Sequence, residues 1–207
     1  MFESIIFPVA PIKQRIMVSP PMSDEAFFEF CQANKSKRIE RTKNKEIIIM
    51  DPVGGESGYY ENNVSYHLTS WNVRKKVGLV FSPSTGFTLP SGAIKSADAA
   101  WLRLETWSAV PLSDRKRFAH VCPDFIIEIR SESDSIAELL EKMTEWIENG
   151  VQLGWLIDPK DKKAYIFRAN GTIDEVVGFD KTLSGENILE GFELNLKDLE
   201  LPMDSEK

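Results

Sequence analysis

The stretch PDFIIEIRSESDSIAELLEKM, residues 123–143, sets Asp124, Glu128 and Arg130 around a run of β-branched apolar residues. It then runs directly into a helical pattern that carries Lys142. Carboxylates hold hard divalent ions, and a nearby cation offsets charge that develops on a phosphoryl or carbonyl oxygen. These residue types are therefore half of a metal-dependent hydrolytic site. The plainer reading is a strand, a loop and a helix with solvated charges.

Alternate residues of a strand share a face. Phe125, Ile127 and Ile129 line one face, and Asp124, Ile126, Glu128 and Arg130 the other. The alternative to a site is a second face that meets water, with Glu128 and Arg130 paired. Asp124 and Glu128 are four residues apart, about 13 Å at ~3.3 Å per residue. Ligand oxygens sit about 2.1 Å from Mg²⁺, so these two cannot comfortably share one ion. The partner of Glu128 should come from a neighbouring strand. Asp98, among the small residues of SADAAWL, is the best candidate, although Asp98 also reads as a helix-start acid after Ser96. Asp124 fits better at a strand entry, or as support behind the ligands.

In SDSIAELLEKMTEWIENG, the apolar face is Ile136, Leu139, Leu140, Met143, Trp146 and Ile147. Lys142 falls at the edge of that stripe, beside Trp146. Its stem can follow the core and present the ammonium to the strand surface; the alternative is an i,i+4 pair with Glu138. Glu138, Glu141, Glu145 and Glu148 read as a solvated face.

Several elements must hold these residues. Ser23 reads as an N-cap, with Asp24 and Glu25 in a first turn and the helix ending near Asn34. RIERT and EIIIMDP read as short strands around TKNK. VGGESG reads as a flexible loop, and helical spacing runs from Tyr60 to Val77. GLVFSPSTGFTLPSGAI reads as a hairpin, 105–122 as a loop with a short helix, and DFIIEIR as a strand. Gly150 suits a helix stop. LGWLIDP and KAYIFRA read as strands paired across KDKK, followed by a further strand and turns.

The 207 residues favour one domain, over 23–201, with an irregular arm at 1–22 and a frayed tail at 202–207. A formal net charge of -7 argues against a broad nucleic-acid surface, though not against a small basic cleft in an acidic enzyme. The two cysteines, Cys31 and Cys122, are far apart and read as free thiols in a reducing compartment. No signal peptide or membrane span is evident, so a cytoplasmic protein is expected. His67 and His120 are isolated, and neither a phosphate-binding loop nor a nucleophile elbow is present.

The order of these segments resembles the large family of predicted restriction endonucleases called Uma-two, within the PD-(D/E)XK nuclease superfamily. The likeness runs from about Ser23 to Leu201. It is carried by STGFTLPSGAIKSADAAWL, by the segment from RKRFAHV through DFIIEIR to GWLIDP, and by TLSGENILEGFELNL. The resemblance implies an α/β fold: a restriction-endonuclease-like α-β-β-β-α-β core, with a mixed central sheet flanked by helices. It makes Asp98 and Glu128 the two metal-binding acids, with the Ile129 carbonyl beside them. It implies Mg²⁺ or Mn²⁺ as cofactor, DNA as substrate and a possible homodimer.

Where the superfamily has a lysine two residues after the second acid, this chain has Arg130. An arginine stays protonated and is a poor general base. The lysine is then matched by Lys142 on the following helix. Arg130 would steady the phosphate, and Glu61 on the first helix is a possible further acid. Ala97 stands where the family commonly has proline. The alternatives are a catalytically silent fold serving as a DNA- or protein-binding module, and action on RNA.

Overall fold

A computed structural model of the chain describes residues 13–202. Most of the expected arm, and all of the expected tail except Pro202, lie outside those residues. The end of the arm is not irregular, because strand β1 (Lys13–Ile16) lies there. Helix α1 (Asp24–Ala33) begins as expected, with Ser23 Oγ accepting from the Ala26 N–H. Strands β2 (Arg38–Arg41) and β3 (Ile47–Met50) pair antiparallel, and β1 adds to the far side of β3.

Helix α2 (Gly55–Lys75) starts five residues earlier than the spacing predicts and takes up most of the expected VGGESG loop. Glycine lowers helix propensity by about 1 kcal/mol per residue, which tertiary packing can override. Here Glu56 sits favourably in the first turn, and Val64, Leu68 and Trp71 anchor the helix in the core.

The expected 78–94 hairpin is divided between two sheets. Strand β4 (Gly78–Phe81) joins one sheet, while β5 (Phe87–Thr88) and β6 (Ile94–Lys95) form a small hairpin in the other. Residues 99–103 form strand β7 (Ala99–Arg103), which settles the ambiguity of SADAAWL in favour of a strand. Within 105–122 the short helix expected near LSDRKRFAHV is a single 3-10 turn (Asp114–Lys116), and a further short helix, α3 (Leu104–Ala109), precedes it and β8 (Ala119–His120).

The charged strand is β9 (Phe125–Ile129), and the striped helix after it is α4 (Ile136–Glu148). Gly150 follows the helix with φ +118°, which only glycine adopts without strain. Strands β10 (Leu153–Asp158) and β11 (Lys163–Arg168) pair antiparallel as expected, and β12 (Ile173–Val177) extends them. A two-stranded unit, β13 (Thr182–Ser184) with β14 (Glu193–Asn195), closes the fold.

One sheet runs β12-β11-β10-β9-β7-β4 and the other β1-β3-β2-β6-β5-β8. In the first, β4, β7 and β9 are antiparallel neighbours, while β9 and β10 are parallel. A parallel pair needs a crossover, and α4 supplies it. The order α2-β4-β7-β9-α4-β10 is the expected α-β-β-β-α-β core with a mixed sheet.

The faces of β9 divide as its sequence predicts. Phe125, Ile127 and Ile129 join Val64, Leu68 and Trp71 of α2 in one core. Ile126 joins Met143 and Trp146 of α4, with Phe87 and Leu89 near the second sheet. A third cluster seats Phe27 of α1 on Ile39, Ile47 and Ile94. At Gly154 an added Cβ would lie 2.7 Å from Met143 Cε, so α4 approaches β10 where a side chain is missing. That approach brings Lys142 and Trp146 over β9.

Candidate active site

Both faces of β9 are buried, so the alternative of a wetted face does not hold. Glu128 is 2% exposed, and Arg130 does not pair with it. Leaving a carboxylate in such a place is costly unless it is hydrogen-bonded or paired. Glu128 Oε1 accepts from Trp146 Nε1 at 2.9 Å and lies 2.8 Å from Lys142 Nζ. Among the described residues, Oε2 takes no hydrogen bond.

Asp98 arrives from the neighbouring strand. Ala99 pairs with Ile127, so one step further along the same antiparallel register Asp98 comes opposite Glu128. Residues facing each other in this way are about 4.5–5.5 Å apart at Cα. Asp98 is 4% exposed; Oδ2 accepts from the Ile129 N–H at 2.8 Å, and Oδ1 from Arg38 Nη1 at 2.7 Å.

Lys142 takes the strand-facing course. Besides Glu128, its ammonium donates to Glu40 Oε1 at 3.3 Å and to the Ser96 carbonyl at 3.2 Å. Burial disfavours its charge, but Glu128 and Glu40 outweigh burial and hold the pKa above the ordinary lysine value. Lys142 is a fixed ammonium.

Strand β2 contributes two side chains that the sequence reading missed. Glu40 is 4% exposed and accepts from the Ser96 N–H at 3.3 Å as well as from Lys142. Burial works against its carboxylate, yet Lys142, Lys95 and Arg38 bring its pKa down to about 2. Arg38 donates to the Ser96 carbonyl at 2.9 Å in addition to Asp98. The Ser96 peptide thus serves Glu40, Lys142 and Arg38 together, two residues before Asp98. The available signal was alternation in RIER: Arg38 and Glu40 share one face, Ile39 and Arg41 the other.

These groups line a cleft of about 290 Å³, which also contains Glu61 and Lys95. Glu61 is half-buried on α2. Burial, with the charges of Asp98 and Glu128, raises its pKa to about 7 against the pull of Arg38. Burial also raises the Glu128 carboxyl pKa, with Lys142 and Arg38 opposing and Asp98 and Glu40 adding to it. Lys95 pairs with Glu145 at 2.8 Å, so Glu145 does not belong to the solvated face.

Two expected residues stand elsewhere. Asp124 sits at the other end of β9, where its Oδ2 accepts from the Arg103 N–H at 2.9 Å and ties β9 to β7. Arg130 is held by Asp158 at 2.7 Å and Asp161 at 2.9 Å, and it does not line the cleft. Cys31 and Cys122 are free thiols.

A family profile described as "Uma2: Putative restriction endonuclease" matches residues 24–197. The chain belongs to the Uma2 family. Its fold is shared with a crystal structure from Anabaena variabilis ATCC 29413 titled a "putative nuclease belonging to DUF820". The TM-score is 0.68 at 19% identity, over 86% of this chain and 97% of the other. No curated protein matches the chain. The Uma2 match spans both sheets apart from β1, and every residue of the cleft named above.

Among the described residues, no group of three or more His, Cys, Asp and Glu is gathered for an ion, and no helix is long and apolar enough to cross a membrane. Mg²⁺ is commonly held by one or two carboxylates together with water and substrate phosphate. Asp98 and Glu128 meet that need. Among the described residues, Asp98 Oδ1 is held by Arg38 alone and Glu128 Oε2 takes no hydrogen bond, so each acid has an oxygen that can turn to an ion. The donor set fits a hard divalent cation.

Proposed function

We propose that this chain hydrolyses phosphodiester bonds of DNA, with Asp98 and Glu128 as the ligands of a Mg²⁺ or Mn²⁺ ion. The observation that carries this reading is the placement of two buried carboxylates opposite each other on adjacent strands, with a fixed ammonium 2.8 Å from one of them. An ion bound there supplies Lewis-acid polarisation of a phosphoryl oxygen and a more acidic water.

The chain's own residues do the remaining work. Lys142, already protonated, offsets negative charge developing on the phosphoryl oxygens and does not act as the base. Glu40 fixes its position. Glu61, with a pKa of about 7, can take or release a proton near neutral pH. Arg130 and Asp124 hold strand ends and take no part in the chemistry. A cytoplasmic location and a two-fold dimer are consistent with cutting both strands.

A second reading is a silent nuclease fold that binds DNA or protein. It is favoured by the internal pairing of the buried charges: Asp98 with Arg38, Glu128 and Glu40 with Lys142. Thermal unfolding with Mg²⁺ or Mn²⁺ separates the two. An ion that binds only the folded state raises Tm. The nuclease reading expects that rise in the native chain and its loss in Glu128→Gln. No rise in the native chain contradicts it and favours the binding module.

A further inference from the structure

We infer that Arg38 is a competing counter-ion of Asp98, so that a divalent cation gains this carboxylate only by displacing a guanidinium. The inference rests on the metal-centre reading above and adds what sets the affinity of that centre.

The geometry makes the competition unavoidable. Arg38 comes from the β1-β3-β2 side of the cleft, and Asp98 from the entry of β7 in the other sheet. They meet at 2.7 Å, Nη1 to Oδ1. Asp98 Oδ2 is turned to the Ile129 N–H, so Oδ1 is where the second sheet reaches the carboxylate. A dication and a guanidinium on one oxygen repel, and with the Asp98 side chain 6% and the Arg38 side chain 21% exposed, water screens them less than at a free surface. Lys142 and Lys95 have carboxylates of their own in Glu128, Glu40 and Glu145.

Arg38 is also incompletely held. Its two terminal nitrogens each bond a different acceptor, and its buried Nε has no hydrogen-bond partner. A bidentate fork would use two parallel bonds to one carboxylate, which this pair lacks. Once released from Oδ1, the guanidinium can keep its bond to the Ser96 carbonyl and offer its remaining donors to a phosphodiester, a geometry for which arginine is suited. Ion and phosphate then assist each other: the first frees Arg38, and the second gives it a new partner.

Calorimetric titration of the full chain with Mn²⁺ alone tests this, on the native protein and on Arg38→Gln, Lys95→Gln and Glu128→Gln. Arg38→Gln is expected to bind Mn²⁺ roughly tenfold more tightly, the effect of sparing one charged hydrogen bond. Lys95→Gln removes a charge from the same cleft without touching Asp98, and should change affinity by less than about threefold. Unchanged or weaker binding by Arg38→Gln overturns the inference, as does an equal gain in Lys95→Gln. In either case, native binding that is lost in Glu128→Gln leaves the metal centre standing. If none of the proteins binds Mn²⁺, the metal centre falls and this inference with it. If circular dichroism shows Arg38→Gln unfolded, Arg38→Met takes its place. Replacing the arginine by lysine would leave a cation beside Asp98, so the substitute must be uncharged. Arg38→Met too should bind Mn²⁺ more tightly than the native chain, and binding no tighter overturns the inference.

Discussion

Lys142 Nζ lies 2.8 Å from Glu128 Oε1, joining the helix after β9 to the acid of β9 itself. Under the proposed function Lys142 serves from a helix rather than from the strand, and its ammonium reaches the proposed ligand Glu128. Lys142→Met should therefore lower cleavage by about 10²–10³-fold. It also leaves Glu128 and Glu40 buried without their cation, so a loss on the order of 3–5 kcal/mol in stability is expected. Rates are best compared well below the variant's melting temperature.

Under the proposed function Glu40, 3.3 Å from the Lys142 ammonium, acts through it as a positioning residue. In Glu40→Gln, kcat should fall about tenfold while KM moves less than about twofold, because a misplaced ammonium weakens stabilisation of the transition state alone. An unchanged kcat accompanied by a lower Tm would make Glu40 merely structural.

Arg130 follows the second acid by two residues, where a catalytic lysine would stand, but its guanidinium is occupied by Asp158 and Asp161. Asp158 is fully buried. Arg130→Met should cost on the order of 3 kcal/mol in urea unfolding by stranding that charge. Cleavage per folded molecule should be retained.

Arg41, also buried, is held by Asp24, by the Met22 carbonyl at 3.2 Å and over the Phe27 ring. Burial alone would raise the Asp24 pKa, but Arg41, Lys45 and His120 bring it below the ordinary value of 3.8. The folded state then binds fewer protons than the unfolded chain around that pH. The stability Asp24 supplies is complete above its unfolded pKa and is lost as pH falls through 3.8 and below. Asp24→Asn should lower Tm at pH 7 and flatten the acid limb of a Tm–pH profile.

Elements whose periodicity was strong could be read from the sequence. The α4 stripe, the two faces of β9 and the cap of α1 all depend on neighbours in the chain. Asp98 was found because the distance along β9 forced the search onto another strand. Arg38 and Glu40 were not found, because their relevance depends on β2 reaching the Ser96 peptide at hydrogen bonds 56 and 58 residues apart in sequence. Local alternation marks a charged face without saying which sheet it will meet. The 78–94 hairpin failed for a related reason. Its turn signals were real, but β4 found its partner in β7 and β5 in β6. The two acidic partners of Arg130 could not be read locally, because they lie 28 and 31 residues downstream.

The central claim is tested most directly by incubating supercoiled and single-stranded DNA with the native chain and Glu128→Gln, in Mg²⁺ or Mn²⁺ and in EDTA. The account predicts nicking that requires the ion and disappears in the variant. Cleavage that persists in Glu128→Gln or in EDTA, or a native chain that cuts no DNA with either ion, would contradict it.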